Sequence, residues 1–500
     1  MTGSSQPAAG FLRNVFQVLS GNVVAQAIAL GTMPIITRLY SPADFGVFSV
    51  IISLLTVLVP ISNLRYNAAI PLPGEDADAL SLLLLSFLVT GVSAVILSGL
   101  IGLWELGLPA VAGGLIPETA RGYLWAIPAG ILLSSGLLNL NGWAVRCQQF
   151  KELARSDIAE SAVNRGFVLI SGWVMPLGAW GLLIGRLAGM AVGLTYLIHV
   201  GLKGMWNRVG RAISFAEIRS LAHRYRNFPL YSTWSGLIIM AAMELPVILM
   251  LLLFSPVVSG FYAVGVRMIR FPINMVGNAL SRVFFHKAAA LKDNEAELAA
   301  HITDMVVYMV FVGLPGVLVL VFFGDLLFGL VFGDRWTESG VYVQMLAPTY
   351  LFIFLFRPLV ILFTTMERQR EHLVFAILLL LVRLVPLWGA AVLFGSAHWA
   401  ILTMSAATCL GFLAAFVYLF RLLHLSGLAV LRPVCRKVLA WVPLAVGLAV
   451  LRFVGVNTFW GWIGLVCAAA LQIAVIGHTE RALKEKGLAW LNRKGRASHV

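Results

Sequence analysis

Long apolar stretches alternate with short polar ones along most of the chain. Many of these stretches reach the roughly 20 residues that a helix needs to cross a lipid bilayer. The pattern therefore predicts an all-α, polytopic membrane protein with about fourteen transmembrane helices. The predicted spans are 14–37, 46–70, 79–104, 122–145, 155–175, 178–202, 228–254, 258–285, 303–332, 341–366, 371–394, 398–421, 438–455 and 459–478.

The spacing of these helices groups them as six, six and two. Polar and basic stretches separate the groups and follow the last of them, so the chain divides into five predicted segments. These are an N-terminal six-helix lobe (1–202), a basic cytoplasmic linker (203–227), a C-terminal six-helix lobe (228–422), two additional transmembrane helices (423–478) and a basic cytoplasmic tail (479–500).

A short internal repeat supports this grouping. Residues 41–50 read SPADFGVFSV, and residues 255–264 read SPVVSGFYAV. The offset places the second predicted helix on the eighth, which indicates duplication of a half-protein, with the two pseudo-symmetric halves related by an axis along the membrane normal. The identical pairs are Ser41 with Ser255, Pro42 with Pro256, Gly46 with Gly260 and Val50 with Val264.

Composition and charge narrow the class further. Sixty per cent of the residues are hydrophobic and 12% are charged, whereas a soluble chain is about half apolar and a quarter charged. The net charge of +14 would suggest nucleic acid as a partner of a soluble protein. Here most lysines and arginines fall in alternate loops, as the positive-inside rule describes. The sequence therefore predicts cytoplasmic termini and no nucleic-acid partner.

A polar stripe marks the eighth predicted helix. Arg267, Arg270, Asn274 and Asn278 recur at steps of three or four residues and so share one helical face. An arginine at bilayer depth costs about 2.5–3.5 kcal/mol on insertion scales, so this face is expected to line a bundle interior or a wet cavity. Four further arginines are predicted to lie deep within helices: Arg165, Arg186, Arg357 and Arg383.

Acidic residues are scarce at the same depth. Glu244 is the acid placed deepest inside a predicted helix, and Asp157 and Glu160 lie near the inner end of the fifth. Glu244 is predicted at a depth similar to that of Arg267 and Arg270. Two interpretations of Glu244 are open. It forms a structural ion pair with one of these two arginines, or it is a titrating group that couples transport to an ion. Even after such pairing cations are in excess, which favours a phosphorylated amphiphile as ligand, because guanidinium groups bind phosphate and stay protonated.

The stretch RLYSPADFGVFSV at 38–50 and the stretch GFYAVGVRMIRFPINMVGNALSRVFFHKAA that begins at Gly260 resemble bacterial polysaccharide and O-antigen flippases. These flippases belong to the multidrug/oligosaccharidyl-lipid/polysaccharide exporter superfamily. The resemblance implies a V-shaped pair of six-helix bundles around a cationic cavity. It also implies that the cargo is an undecaprenyl-pyrophosphate-linked oligosaccharide, carried to the outer leaflet of the inner membrane. The two additional helices are similar to those of fourteen-helix relatives, in which the pair forms a lipid-facing groove.

The leading hypothesis is therefore a lipid-linked oligosaccharide flippase that works by alternating access. Its expected partners are the cargo, the bilayer, and the glycosyltransferases and polysaccharide polymerase of the same pathway. One alternative is an ion-coupled drug exporter of the superfamily, which needs acids in the cavity. The other is a membrane polymerase or ligase, which needs acid–base groups in outer loops, where His398 is the only histidine. No catalytic residue, metal or cofactor is predicted.

Overall fold

The computed structural model describes residues 24–106, 121–201, 214–290, 295–360, 368–422, 432–435, 438–439 and 441–454. All regular secondary structure in these residues is helical, which confirms the predicted all-α class. The main helices are α1 (Val24–Leu39), α2 (Pro42–Ser62), α3 (Asp76–Glu105), α4 (Ala126–Arg146), α5 (Phe150–Val174), α6 (Ala179–Gly201), α7 (Phe215–Arg224), α8 (Thr233–Leu253), α9 (Pro256–Ala290), α10 (Glu295–Phe332), α11 (Thr337–Phe356), α12 (Gln369–Phe394), α13 (Ala397–Leu422) and α14 (Val442–Val454).

Nine helices within the described residues are long and apolar enough to cross a membrane. Helices α5 and α9 have the required length but carry several charged residues, and α1 and α14 are shorter apolar helices. Each predicted span except the last therefore has a helical counterpart. The span predicted at 459–478 lies outside the described residues.

One predicted helix end is wrong. The second span was predicted to continue to residue 70, but α2 ends at Ser62. The Asn63 side chain accepts a hydrogen bond from the backbone N–H of Arg65 at 2.9 Å, and Leu64 and Arg65 adopt left-handed φ values of 47° and 54°. Such local side-chain bonding competes with helix continuation. The nearest proline, Pro60, lies inside α2 two residues before its end.

The repeated serine–proline pair begins a helix in both copies. In α2, Ser41 accepts a hydrogen bond from the backbone N–H of Asp44, and the Asp44 carboxylate accepts one from the backbone N–H of Ser41. In α9, Ser255 accepts a hydrogen bond from the backbone N–H of Val258 at 3.2 Å. Proline follows each serine as the first helical residue, where its missing N–H costs nothing.

The described residues form two compact units. The first lies within 1–265, 328–339 and 373–404, and the second within 266–327, 340–372 and 405–500. In the first unit, Leu221 of α7 packs into a buried cluster that includes Leu80, Trp143 and Leu197. In the second, Phe323 of α10 packs with Leu448 of α14. The predicted two-lobed division at 202 and 228 stays a prediction.

The two copies of the repeat touch each other inside the first unit. A Cβ atom added at Gly46 would collide with the carbonyl group of Pro256, and one added at Gly260 would collide with that of Pro42. Helices α2 and α9 therefore approach backbone to backbone at these glycines. Each glycine lies against the carbonyl group of the proline that precedes the other glycine by four residues, so the contact has local two-fold symmetry.

Candidate functional site

The second unit gathers several of the predicted cationic residues on one helix face. Arg267, Arg270 and Asn274 lie on α9 at helical spacing, and Nη1 of Arg357 donates a hydrogen bond to Oδ1 of Asn274 at 2.6 Å. The structure thus brings a third guanidinium to the face that the sequence predicted. The side chain of Asn278, the next residue of this face, lies outside the described side chains.

Local backbone structure places Arg357 at this position. Helix α11 ends at Phe356, and residues Arg357–Leu359 continue as a tighter 3₁₀ turn with Pro358 near its start. On α9, Gly277 leaves room for the arginine, because a Cβ atom there would lie 3.0 Å from Cδ of Arg357. The end of α11 and the small side of Gly277 therefore allow the guanidinium of Arg357 to lie against Asn274.

The charged residues of α9 itself are all basic. Helix α9 contains no aspartate or glutamate along its whole sequence. Arg267 is exposed, and Arg270 and Arg357 are partly buried. Guanidinium groups that share one helix face are donors of the kind that bind phosphate and carboxylate oxygens.

Arg383 of α12, in the first unit, is fully buried at 0% exposure. Its Nη1 lies 3.4 Å from the Sδ atom of Met243 on α8. Its Nε and Nη2 atoms have no hydrogen-bond partner among the described residues. A thioether sulfur is a weak acceptor, so the guanidinium is unusually poorly satisfied.

Glu244, the residue after Met243, bonds to a different helix. Its Oε2 atom accepts a hydrogen bond from Oγ of Ser53 on α2 at 2.8 Å, and Ser53 is 2% exposed. The predicted pairing of Glu244 with Arg267 or Arg270 stays a prediction. The partner seen here, Ser53, is not among the predicted site residues.

The fifth and sixth helices carry an ion pair. Arg186 of α6 donates to the carboxylate of Glu160 on α5, and the two side chains are 33% and 17% exposed. Asp157 lies one helical turn before Glu160, and Arg165 follows on the same helix. The ion pair neutralises the charge of Arg186 and connects the adjacent helices α5 and α6 within the first unit.

Sequence reasoning missed a buried tryptophan next to the repeat. Trp336 is 0% exposed, and its Nε1 donates a hydrogen bond to the backbone carbonyl of Thr37 at 2.8 Å. Its ring meets those of Phe45 and Phe261 edge-on, with centroid distances of 5.2 and 5.9 Å. The hydroxyl of Thr37 in turn donates to the carbonyl of Phe332 at 3.2 Å. Nothing in the local sequence distinguishes Trp336 from the other tryptophans.

The register of the repeat also relates the two polar faces. The offset that aligns Gly46 with Gly260 aligns Ser53 with Arg267. It likewise aligns Thr56 with Arg270. Hydroxyl groups in the first copy thus correspond to guanidinium groups in the second.

Comparison with known proteins gives a family and a fold. A model of the family described as "Polysaccharide biosynthesis protein" matches residues 35–341. No curated protein sequence matches the chain. The solved structure titled "Lipid II flippase MurJ, inward closed conformation" is similar with a TM-score of 0.69 at 12% identity, covering 94% of this chain and 99% of that one.

Two MATE structures are also similar. A mutant of the MATE transporter VcmN of Vibrio cholerae has a TM-score of 0.54 at 16% identity, covering 83% of this chain and 97% of that one. A MATE protein in complex with MaD5 has a TM-score of 0.51 at 16% identity, covering 82% and 94%. These likenesses show a shared fold.

Proposed function

The chain belongs to the polysaccharide biosynthesis protein family, and from this premise we propose that it is a lipid-linked oligosaccharide flippase. The cargo is an undecaprenyl-pyrophosphate-linked repeat unit of O-antigen or exopolysaccharide, moved across the bacterial inner membrane by alternating access between the lobes 1–202 and 228–422. No bond of the cargo changes. Both termini are proposed to be cytoplasmic, and the glycosyltransferases and polymerase of the pathway are proposed as partners.

The contact between Arg357 and Asn274 carries this proposal. It adds a third guanidinium to the α9 face that holds Arg267 and Arg270. An amide oxygen is an uncharged acceptor, so this hydrogen bond fixes the position of the guanidinium and does not itself neutralise it. Planar guanidinium forks bind phosphate oxygens in bidentate fashion and remain charged at any physiological pH. The arrangement therefore suits a pyrophosphate head group.

Arg165, Arg186 and Arg383 are proposed as further cavity residues, with Asn278 beside Asn274. The contacts of Arg186 and Arg383 in the structure differ. Arg186 is paired with Glu160, so it contributes less net charge to a ligand. Arg383 is fully buried and can meet cargo only after a conformational change.

A drug exporter of the same fold is the second candidate function, supported by the similarity to the two MATE structures. Exporters of cationic compounds need exposed carboxylates in the transport path. Glu244 is the acid best placed for that role, with its carboxylate on α8 bonded to Ser53. The cationic face of α9 favours the anionic cargo.

The decisive experiment reconstitutes the full chain in proteoliposomes with a fluorescent undecaprenyl-pyrophosphate-linked oligosaccharide. Loss of a hydrogen bond to a charged group costs about 1.5–3 kcal/mol, so Arg357→Ala is expected to lower translocation by about tenfold to a hundredfold. Arg357→Lys keeps the charge and is expected to fall between Arg357→Ala and the parent. Arg38→Ala, at an exposed position near the end of α1, is the matched control and should leave the rate unchanged.

Two results would contradict the proposal. One is an unchanged rate in Arg357→Ala protein that inserts normally. The other is translocation of a cationic dye, but not of the lipid-linked oligosaccharide, by the parent protein. That second result would favour the exporter.

A further inference from the structure

The turn that ends α2 holds an arginine in a left-handed backbone conformation. Leu64 and Arg65 have φ values of 47° and 54°, which residues other than glycine seldom adopt. The side chain of Asn63, which is 1% exposed, accepts a hydrogen bond from the backbone N–H of Arg65 at 2.9 Å. The next residue, Tyr66, packs into the buried cluster that includes Leu80. The backbone of Arg65 is therefore fixed by its neighbours on both sides.

The side chain of Arg65 lies against the start of α8. Gly236 is a buried residue in the first turn of that helix, and a Cβ atom added there would collide with Nη1 of Arg65. The missing side chain of Gly236 thus leaves room for the guanidinium beside the helix backbone. Arg65 stays partly exposed, so the guanidinium is within reach of a ligand.

The length of α2 gives the depth of Arg65 in the membrane. This helix has 21 residues, or about 32 Å at 1.5 Å per residue, which matches the roughly 30 Å hydrocarbon core of a bilayer. Arg65 follows shortly after the last helical residue, Ser62. It therefore lies at the level of the headgroups, where the phosphate groups of membrane lipids are found.

A second arginine at this end of the first unit has partners within the protein. Arg146 is the last residue of α4, which packs against the short turn Tyr66–Ala68. It donates to the carboxylate of Asp76 at 3.0 Å and to the carbonyl of Gly74 at 3.2 Å. The guanidinium of Arg65, by contrast, makes no hydrogen bond or ion pair with any part of the chain that the structure describes. Its N–H donors are open to an anionic ligand.

We propose that Arg65 binds a phosphate group, with its planar fork of N–H donors on the phosphate oxygens. The residues that position it all belong to the first unit. Two membrane phosphates have this chemistry: the pyrophosphate of a lipid-linked cargo and the headgroup of an anionic phospholipid. Assignment to the cargo, which Arg65 would then receive from the inner leaflet, rests on the proposed function. The phosphate site itself does not.

Binding of two phosphate lipids to the purified full chain tests the site. Undecaprenyl pyrophosphate and phosphatidylglycerol are titrated separately in uncharged detergent, and the bound lipid is counted by native mass spectrometry. Loss of hydrogen bonds between charged groups corresponds to about a tenfold to hundredfold change in affinity, which is the loss expected for Arg65→Gln. Arg219→Gln, at an exposed position of α7, removes the same charge and should leave both affinities unchanged.

The two lipids distinguish the sources of the phosphate. A loss of undecaprenyl pyrophosphate alone assigns the site to the cargo, a loss of phosphatidylglycerol alone assigns it to bulk lipid, and a loss of both shows a site that recognises phosphate in either. Unchanged binding of both lipids by Arg65→Gln, or an equal loss with Arg219→Gln, would overturn the site. Thermal unfolding of Arg65→Gln should match that of the parent, whereas Arg146→Gln, which loses the Asp76 contact, should unfold at a lower temperature.

Gly236→Ala tests the geometry with the charge retained. The added methyl group takes the place of Nη1 of Arg65, so the guanidinium must move aside. Phosphate binding should fall to a value between those of the parent and Arg65→Gln. Gly91→Ala, where no atom lies within 4 Å of the added Cβ atom, should bind as the parent does. Equal binding by Gly236→Ala and Gly91→Ala would refute the placement of the guanidinium at α8.

The translocation assay separates this site from the proposed function. A parent protein that binds a phosphate lipid through Arg65 but moves no lipid-linked oligosaccharide would leave the site standing and remove the proposed function. Translocation by the parent, together with unchanged binding of both lipids by Arg65→Gln, would leave the function standing and remove the site.

Discussion

Gly46 and Gly260 face each other where α2 meets α9, and neither position leaves room for a side chain. The atom that excludes a side chain is in both cases the carbonyl of the proline that begins the opposite helix, Pro256 or Pro42. A backbone carbonyl cannot move aside as the end of a flexible side chain can. The two copies of the repeated sequence are thus in contact through the residues that define the repeat.

Substitution at this contact is expected to force the helices apart. Gly46→Ala and Gly260→Ala should each destabilise the protein by about 1–3 kcal/mol, the usual cost of overpacking a tight contact. Gly91→Ala is the control, since no atom lies within 4 Å of a Cβ atom there. That variant should be neutral or more stable, because alanine favours a helix by about 0.5–1 kcal/mol. Thermal unfolding in detergent measures all three, and equal stability of Gly46→Ala and Gly91→Ala would refute the close approach.

Trp336 is expected to stabilise the region through both its ring and its N–H. Trp336→Phe keeps most of the ring but removes the donor to Thr37, at a cost of about 1–3 kcal/mol for the carbonyl left unsatisfied. Trp336→Ala also empties the space between Phe45 and Phe261 and should cost about 3–5 kcal/mol. Trp399→Phe, at a 52% exposed position, should change the stability by less than about 0.5 kcal/mol. A ranking other than this in thermal unfolding would argue against the packing described.

The two serine caps are expected to differ in strength. Ser41→Ala breaks a reciprocal pair of bonds with Asp44, whereas Ser255→Ala removes a single bond to the N–H of Val258. Cap substitutions cost about 0.5–2 kcal/mol, and we expect Ser41→Ala near the upper end of that range and Ser255→Ala near the lower. Asp44→Asn, which weakens one half of the reciprocal pair, should fall between them. Comparison of the unfolding free energies checks the order.

The pair of Glu160 and Arg186 is expected to contribute to the stability of the first unit. Each single substitution, Glu160→Gln or Arg186→Met, leaves a partly buried charge without its partner, and the double variant leaves none. The double variant should therefore lose less stability than the sum of the single losses, with a coupling of about 0.5–3 kcal/mol. Partial exposure of both side chains places the value below that of a fully buried pair. Strict additivity in a double-mutant cycle would show that the ion pair contributes nothing.

Hydrophobic periodicity predicted the helices well, because a span of bilayer length leaves a long and simple signal. It failed at the end of α2, where Asn63 and the left-handed Leu64 and Arg65 stop the helix. Asparagine is a common residue with many roles, so its presence alone does not predict a stop. The repeat was equally visible in the sequence, but its chemistry did not reveal that Gly46 and Gly260 touch.

The residue types of the candidate site could be predicted from the sequence, but their contacts could not. Helical spacing in the sequence placed Arg267, Arg270 and Asn274 on one face. The contact of Arg357 with Asn274 depends on the end of α11 just before Arg357, which the hydrophobic pattern of the sequence does not predict. The burial of Arg383 against Met243 depends on the packing of helices that are far apart in the chain. Long-range partners of this kind follow from tertiary packing, which one sequence does not specify.

The alignment of Ser53 with Arg267 and of Thr56 with Arg270 has a consequence for how such a molecule evolves. Two positions at the same register of a sequence repeat can diverge: one can acquire a strongly charged residue while the other keeps a neutral residue that bonds neighbouring helices together. Function can then be gained in one half without a loss of integrity in the other. A difference in charge between aligned positions of an internal repeat is therefore a place to look for specialised chemistry.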